Sequence, residues 1–292
     1  MRLRDFLSLT GTSLIAHRMR SFLTALGIAV GIASVVLLTS IGEGVHRFVL
    51  SEFSQFGTTL VAINPGKTTT HGGSVGMFGT ERPLTIEDAE ALKRLPFAKA
   101  VVPFVQGNAE VEAENRRRRT TIYGAGPQLP EALSMRVKSG RFLPEDDPVA
   151  PRAFAVLGSK LRQELFGDRS PLGQRITIGG SRYRVIGVME SKGTVLGFDL
   201  DDTVYIPAAR ALSLFNNDTL FEIDVMYDED TPVEKVVDGI KSILEARHGR
   251  DDVTITTQQQ MLDVLGSVLN VLTFAVAAIG GISLLVGAIG IV

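Results

Sequence analysis

No cysteine occurs in this chain of 292 residues, which removes disulfide staples, thiolate chemistry and cysteine-ligated metal from consideration. Tryptophan is absent as well. Histidine is scarce: His17, His46, His71 and His248 are scattered, with no H-x-x-x-H and no acidic partner at metal-ligand spacing, so they read as solvated or packed side chains. An excess of either charge is also missing. Thirty basic against 32 acidic residues leave a formal net charge of -2, and nothing argues for nucleic acid as a bulk partner.

What the chain does have is hydrophobicity, unevenly placed. Mean hydropathy is +0.20 with 45% hydrophobic residues, and the excess sits at the two ends. The first apolar run lies in "RMRSFLTALGIAVGIASVVLLTSIGEG", Arg18 to Gly44. No charge falls between Arg20 and Glu43, and a helix of about 22 residues covers a hydrocarbon layer of about 30 Å. A secretory signal has a shorter apolar core and a small-x-small cleavage site. "LLTSIGEGVHRF" offers only an imperfect one, so the run reads as a retained membrane span.

Arg2, Arg4, Arg18 and Arg20 precede the span, whereas Glu43 and Glu52 follow it with Arg47. Positive residues stay inside, which places the N-terminus in the cytoplasm and the middle of the chain outside. The second run, "VLTFAVAAIGGISLLVGAIGIV", carries no charge after Asp263 and reads as a return helix, with a stalk around Val264 to Asn270. Val292 falls inside that run, so the span reads as cut short.

Small residues suggest work beyond anchoring. Gly27 and Gly31 form G-x-x-x-G with Ala25, Ala29 and Ala33 at compatible spacing, and Gly280, Gly281, Gly287 and Gly290 repeat the habit in the second run. Faces of this kind let helices approach closely in lipid, where packing takes over from hydrophobic driving force. Glycine is common in membrane helices, but two such runs in one chain favour helix packing in an assembly. Ahead of the first span, Leu3, Phe6, Leu7, Leu14 and Ile15 sit near helical spacing among basic residues. That segment reads as amphipathic, lying on membrane lipid or docked on a cytoplasmic partner.

The middle alternates elements. "TTLVAINPG" is a β-rich run closed by a turn, and "KTTTHGGSVGMFGTERP" lacks periodicity and reads as a loop. "TIED" from Thr85 is a capping box with Leu84, Ala89, Leu92 and Leu95 as the apolar face of its helix. Two strands with a charged connection follow through "AVVPFVQGNAEVEAENRRRRTTIYGAG". "GRFLPEDD" reads as a turn, "RAFAVLGSKLRQELFG" as strand and helix, and "QRITIGGSRYRVIGVMES" as a hairpin with Gly179 and Gly180 at its tip. "TVYIPAARALSLF" is a strand with a helix from Pro207, and "LFEIDVMY" is another strand. "TPVEKVVDGIKSILEARHG" reads as the clearest helix, with Thr231 as N-cap, Pro232 in the first turn, Glu234 completing the box, and a stripe of Val233, Val236, Val237, Ile240 and Leu244. "DVTITT" closes the series as a strand. The order fits a split α+β domain with a mostly β insert near 140–216. The expected layout is a cytoplasmic segment 1–20, a first transmembrane helix 21–42, an extracytoplasmic domain 43–263, and a stalk with an incomplete second helix 264–292.

Several motifs mimic chemistry. "GGSVG" around Ser74 matches G-x-S-x-G beside His71, but lacks the strand before and the helix after. Gly66-Lys67-Thr68 ends like a phosphate loop, yet Val61 stands where its first glycine belongs and no helix follows. Arg116 to Arg119 could meet anionic lipid or an acidic partner, and the preferred reading is a solvated hairpin. Glu145-Asp146-Asp147 and Asp199 to Asp202 lack the glycine and distal glutamate of a calcium loop, so they read as turn-forming loops. No catalytic, cofactor or metal residues emerge, and the chain reads as a non-catalytic subunit.

Taken in order, "RSFLTALGIAVGIASVVLLTSIGEG", "SGRFLPEDD", "VLGSKLRQELFG", "SPLGQRITIGGSRYRVIGVMES", "DDTVYIPAARAL" and "GGISLLVGAIGIV" resemble successive blocks of one family. This is the MacB-type (FtsX-like) permeases of ABC transporters. The resemblance implies four transmembrane helices, a large porter-like extracytoplasmic domain with an inserted lobe between the first two, and no substrate pore. It implies an inner-membrane dimer, or a pairing with a related permease, driven by a cytoplasmic ABC ATPase on a separate chain. ATP-driven motion would pass through a stalk to domains that move or release substrate, with or without a periplasmic adaptor protein. A regulator of cell-wall hydrolases within the same family, and a tethered extracytoplasmic enzyme or sensor outside it, are the rival readings.

Overall fold

The computed structural model describes residues 18–54, 59–66, 82–195 and 198–291. The amphipathic segment before Arg18, His17, the loop with His71 and Ser74, and Lys67-Thr68 lie outside the described residues. The chain divides into two compact units, one formed by 1–50 with 262–292 and the other by 51–261.

A 37-residue helix, α1 (Arg18–Ser54), opens the chain. The larger unit then runs β1 (Leu60–Pro65), α2 (Ile86–Leu92), β2 (Ala98–Ala113), β3 (Arg116–Ala125), α3 (Leu129–Ala132), β4 (Val137–Gly140), β5 (Phe154–Leu157) and α4 (Ser159–Phe166). It continues through β6 (Arg175–Ile178), β7 (Ser181–Met189), β8 (Thr194–Val195), β9 (Phe198–Asp199), β10 (Thr203–Pro207), α5 (Ala208–Phe215), β11 (Glu222–Tyr227), α6 (Val233–His248) and β12 (Val253–Thr257). The last helix, α7, covers Gln258–Ile291. Stretches within α1 (Ala25–Val45) and α7 (Gln258–Ile282), with mean hydropathy 2.2 and 2.0, are long and apolar enough to cross a membrane.

One sheet organises the larger unit, in the order β12-β1-β11-β2-β3-β10-β5-β7-β4. β6 bridges β2 and β7, so β2, β3, β10, β5, β7 and β6 close a ring. The segment 140–216 thus adds β5, β6, β7 and β10 to the same sheet that β1 and β11 belong to, while β8 and β9 pair only with each other. Strict alternation sets the two faces. On one face Val61, Ile63, Ile223 and Val225 are buried with Ala89 and Leu92 of α2 and Val236, Ile240 and Leu244 of α6. On the other, Val102, Tyr123 and Tyr205 pack with Leu129, Phe142 and Met189.

Local chemistry explains the ends of elements. Thr85 caps α2 as expected: its side chain accepts from the Asp88 N–H, and the Asp88 carboxylate accepts in return from the Thr85 N–H at 2.9 Å. Gly179 and Gly180 form the β6–β7 tip with φ of 54° and 86°, the double positive φ of a two-residue hairpin turn. The start of α6 differs from expectation. Pro232 is the cap residue, with extended ψ of 135° and no side-chain cap, while the Thr231 N–H closes a turn on the Asp228 carbonyl at 2.9 Å. Proline therefore stands one residue ahead of the helix, and no Thr231–Glu234 box forms. Nor is "GRFLPEDD" a turn: after Gly140, residues 141–147 are irregular, and Asp146 accepts from the Arg152 Nε at 2.7 Å.

Gly124 on β3 is a tight spot, because a Cβ there would lie 2.2 Å from the Ala211 Cβ on α5. Gly124→Ala is expected to separate α5 from the sheet and lower stability by about 1–3 kcal/mol, measured by thermal denaturation of the purified chain.

Candidate functional site

β1 is the first strand after α1, and β12 is the last before α7. They are neighbours, paired antiparallel from Val61↔Thr257 to Pro65↔Val253. β12 ends at Thr257 and α7 begins at Gln258, with no loop between. A capping box closes the start of this helix: the Gln260 N–H donates to Thr257 Oγ1 at 3.2 Å, and the Thr257 N–H donates to Gln260 Oε1 at 3.1 Å. The T-x-x-Q in "TQQQ" was legible as this signature, and the sequence reading passed over it. The far end of the pair is tied as well. The Gly66 N–H donates to the Asp252 carbonyl at 3.0 Å, and Thr254 Oγ1 donates to the Gly66 carbonyl at 2.7 Å.

Behind β12 lies a buried polar knot. Asp88, 2% exposed, accepts from Arg247 Nε at 2.5 Å and faces His248 Nε2 at 3.2 Å. The other ring nitrogen of His248 lies 2.6 Å from Asp252. Arg82 donates to the Arg247 carbonyl at 3.0 Å. Burial pushes the Asp88 carboxyl up, but hydrogen bonds from Arg247, Thr85 and His248 outweigh it and hold the group below the usual carboxylate range. The knot joins the start of α2, the end of α6 and the entry to β12. His248 is packed between two carboxylates: Asp252 lies four residues on, and Asp88 comes from α2, 160 residues back.

A second polar feature sits on β11, beside β1. Asp224 is 6% exposed, next to Glu222 on the same face, and Asn64 of β1 donates to Glu222 at 3.1 Å. Burial pushes both carboxyls up, and the Glu222 charge raises Asp224 further.

In the smaller unit Gly31 and Gly280 are both buried. A Cβ at Gly280 would lie 2.9 Å from Val35 Cγ2 and 3.6 Å from the Gly31 carbonyl oxygen. At Gly27 and Gly281 an added Cβ would meet nothing within 4 Å. Gly287 lies further along α7.

The remaining sequence candidates fall elsewhere. Arg118 is half-buried and grips Asp202 with two hydrogen bonds, at 2.8 and 2.5 Å, so the arginine run is only partly solvated. Arg116 donates to the Glu164 carbonyl, and Arg117 pairs with Glu110 at 3.5 Å. Asp199 accepts from the Asp201 and Asp202 backbone at 3.0 Å and pairs with Lys160, which accounts for that acidic cluster as a structured loop. Among the described residues no group of three or more His, Asp or Glu side chains is arranged to hold a metal ion.

Comparison with known proteins defines the class. Residues 21–243 match the MacB-like periplasmic core domain family, and the chain belongs to that family. It is 34% identical over 276 residues to a macrolide export ATP-binding/permease protein MacB of Shewanella sp. (strain W3-18-1), covering 94% of this chain and 42% of that protein. It is 33% identical over 279 residues to a pyoverdine export ATP-binding/permease protein PvdT of Pseudomonas syringae pv. tomato, again covering 94% and 42%. The chain therefore spans less than half the length of these relatives. The fold matches the periplasmic region of MacB from Actinobacillus actinomycetemcomitans, with a TM-score of 0.61 and 21% identity over 73% of this chain and 95% of that one. It also matches the extracellular domain of the transporter YknZ from Gram-positive bacteria, with a TM-score of 0.55 and 17% identity over 68% of this chain and 100% of that one.

Two substitutions test the polar features in opposite directions. Asp88→Ala is expected to destabilise the fold by about 2–4 kcal/mol at neutral pH. The contribution of a carboxyl held low is present above the unfolded value near 4 and is lost as pH falls through the folded value. Asp224→Asn is expected to raise Tm at neutral pH by about 2–4 °C. A carboxyl held high contributes fully below its unfolded value and loses that contribution as pH rises through the folded one. Thermal unfolding from pH 3 to pH 8 reads both.

Proposed function

We propose that the chain is part of the transmembrane permease subunit of an ABC-type exporter, carrying ATP-driven motion to an extracytoplasmic body that moves or releases substrate. The observation that carries the reading is the loop-free passage from β12 into α7, with β12 paired to β1 and capped by Thr257 and Gln260. In this reading a helix displaced at such a junction moves the strand pair with it, because the capped helix end and the hydrogen-bonded ladder adjoin without an intervening loop. Family membership and export relatives support the direction of the work.

In this reading α1 and α7 cross the inner membrane, the N-terminus is cytoplasmic, and the 51–261 unit is periplasmic. Segment 140–216 forms the inserted lobe of a porter-like domain. The Gly31–Gly280 contact packs the helices, with Gly27 and Gly281 facing other helices of a dimer or related permease and Gly287 assigned to the same packing role. ATP hydrolysis belongs to a separate cytoplasmic partner, a periplasmic adaptor completes the export path, and no residue of this chain does chemistry.

The test is co-reconstitution in lipid nanodiscs with a cytoplasmic ABC ATPase from the same genome. Association and a changed hydrolysis rate are expected, and Gly280→Leu, which drives a side chain into Val35 and Gly31, is expected to remove most of that change. Failure to associate together with an unaltered rate contradicts the proposal.

A further inference from the structure

The hairpin β6–β7 presents an arrangement that neither the fold nor the transmission role needs. Arg175 of β6 and Arg184 of β7 stand directly opposite one another in the antiparallel register, and Arg182 faces Thr177 one step along the same face. All three are exposed. Like charges directly opposed across strands weaken a sheet. Several other exposed cations in the unit meet acids: Arg169 with Glu114 at 2.6 Å, Arg152 with Asp146 at 2.7 Å, and Lys160 with Asp199 at 3.1 Å. Among the described residues Arg175, Arg182 and Arg184 have no ion-pair partner.

The face is continuous with β2 and β3. Thr177 pairs across to Glu112, Glu112 to Arg117, and Glu110 to Arg119, so the surface is net cationic but includes two carboxylates. On the other side Arg184 neighbours Phe154 of β5, whose ring lies 5.0 Å beneath the Arg152 guanidinium. The opposite face of these strands, through Ile176, Ile178, Tyr183 and Val185, is core. Guanidinium groups are thus held on a rigid ladder with the apolar side fully used, and their planar forks match carboxylates two bonds at a time.

We infer that this face docks a different protein of the same compartment through a cluster of its carboxylates. The mixed pattern selects the occupant. Glu110 and Glu112 weaken the attraction of this face for a uniformly anionic lipid surface, whereas a protein can place a cation opposite them. A second copy docking symmetrically would set arginine against arginine. The inference rests on the proposal only in assuming that such a partner shares the compartment.

The test uses the full chain in neutral-lipid nanodiscs and a fluorescein-labelled hexaglutamate peptide, read by fluorescence anisotropy. Binding that weakens as salt rises is expected, and the combined R175E, R182E and R184E variant should weaken it about tenfold or more. R184E alone should leave Tm unchanged or raised by about 1–3 °C, since it places a carboxylate opposite Arg175. Three results overturn the inference: no peptide binding or binding indifferent to the triple variant, loss by that variant of binding to phosphatidylglycerol vesicles instead, or a fall in Tm with R184E. ATPase association is unaffected by these arms, so its failure and theirs are separable.

Discussion

The rest of the structure depends on the antiparallel pairing of β1 with β12. These strands come from opposite ends of a body about 200 residues long in sequence, and closing so long a loop costs entropy before any contact repays it. What repays it is a ladder running from Val61↔Thr257 to Pro65↔Val253, backed by Val61 and Ile63 in the core on α2 and α6. Once the pair is closed, the chain segments leading from α1 and into α7 belong to adjacent strands. Everything the protein is proposed to transmit passes through that ladder.

The polar groups around it divide into two kinds. Asp88 is satisfied from several directions and locks α2, α6 and β12 together, the situation in which a buried carboxylate holds its charge. Glu222 and Asp224 lie one strand away with a single amide donor between them, and burial works against their ionisation. A rigid latch and a carboxylate pair that resists charging thus flank the same strand pair from two sides.

Much of this fold was legible in the sequence, and the reasons are local. The β6–β7 tip needs two positive φ values and the sequence supplies Gly179-Gly180; the α2 start needs a reciprocal cap and supplies Thr85 and Asp88. Two charge-free runs of membrane length announce α1 and α7. What was hidden is what distance in sequence hides. His248 meets Asp88 from 160 residues away, Arg118 meets Asp202 across 84, and strands of 140–216 join the sheet through the pairings of β10 with β3 and of β6 with β2. Spacing rules carry no signal for such meetings. Pro232 misled for a different reason, since proline suits both the first turn of a helix and the extended residue before it.

In the proposed mechanism force crosses at Thr257–Gln258, where strand and helix are continuous. Absence of cysteine allows a single spin label at an exposed site, Asp218→Cys, on the folded body. Pulsed electron paramagnetic resonance then reads the distance between labels on two copies in the assembled complex, with and without ATP. A shift in that distance on adding ATP is the outcome this account predicts, together with its loss when a Gly-Gly-Ser linker is inserted after Thr257 while hydrolysis continues. An ATP-driven shift that survives the linker undiminished would contradict it.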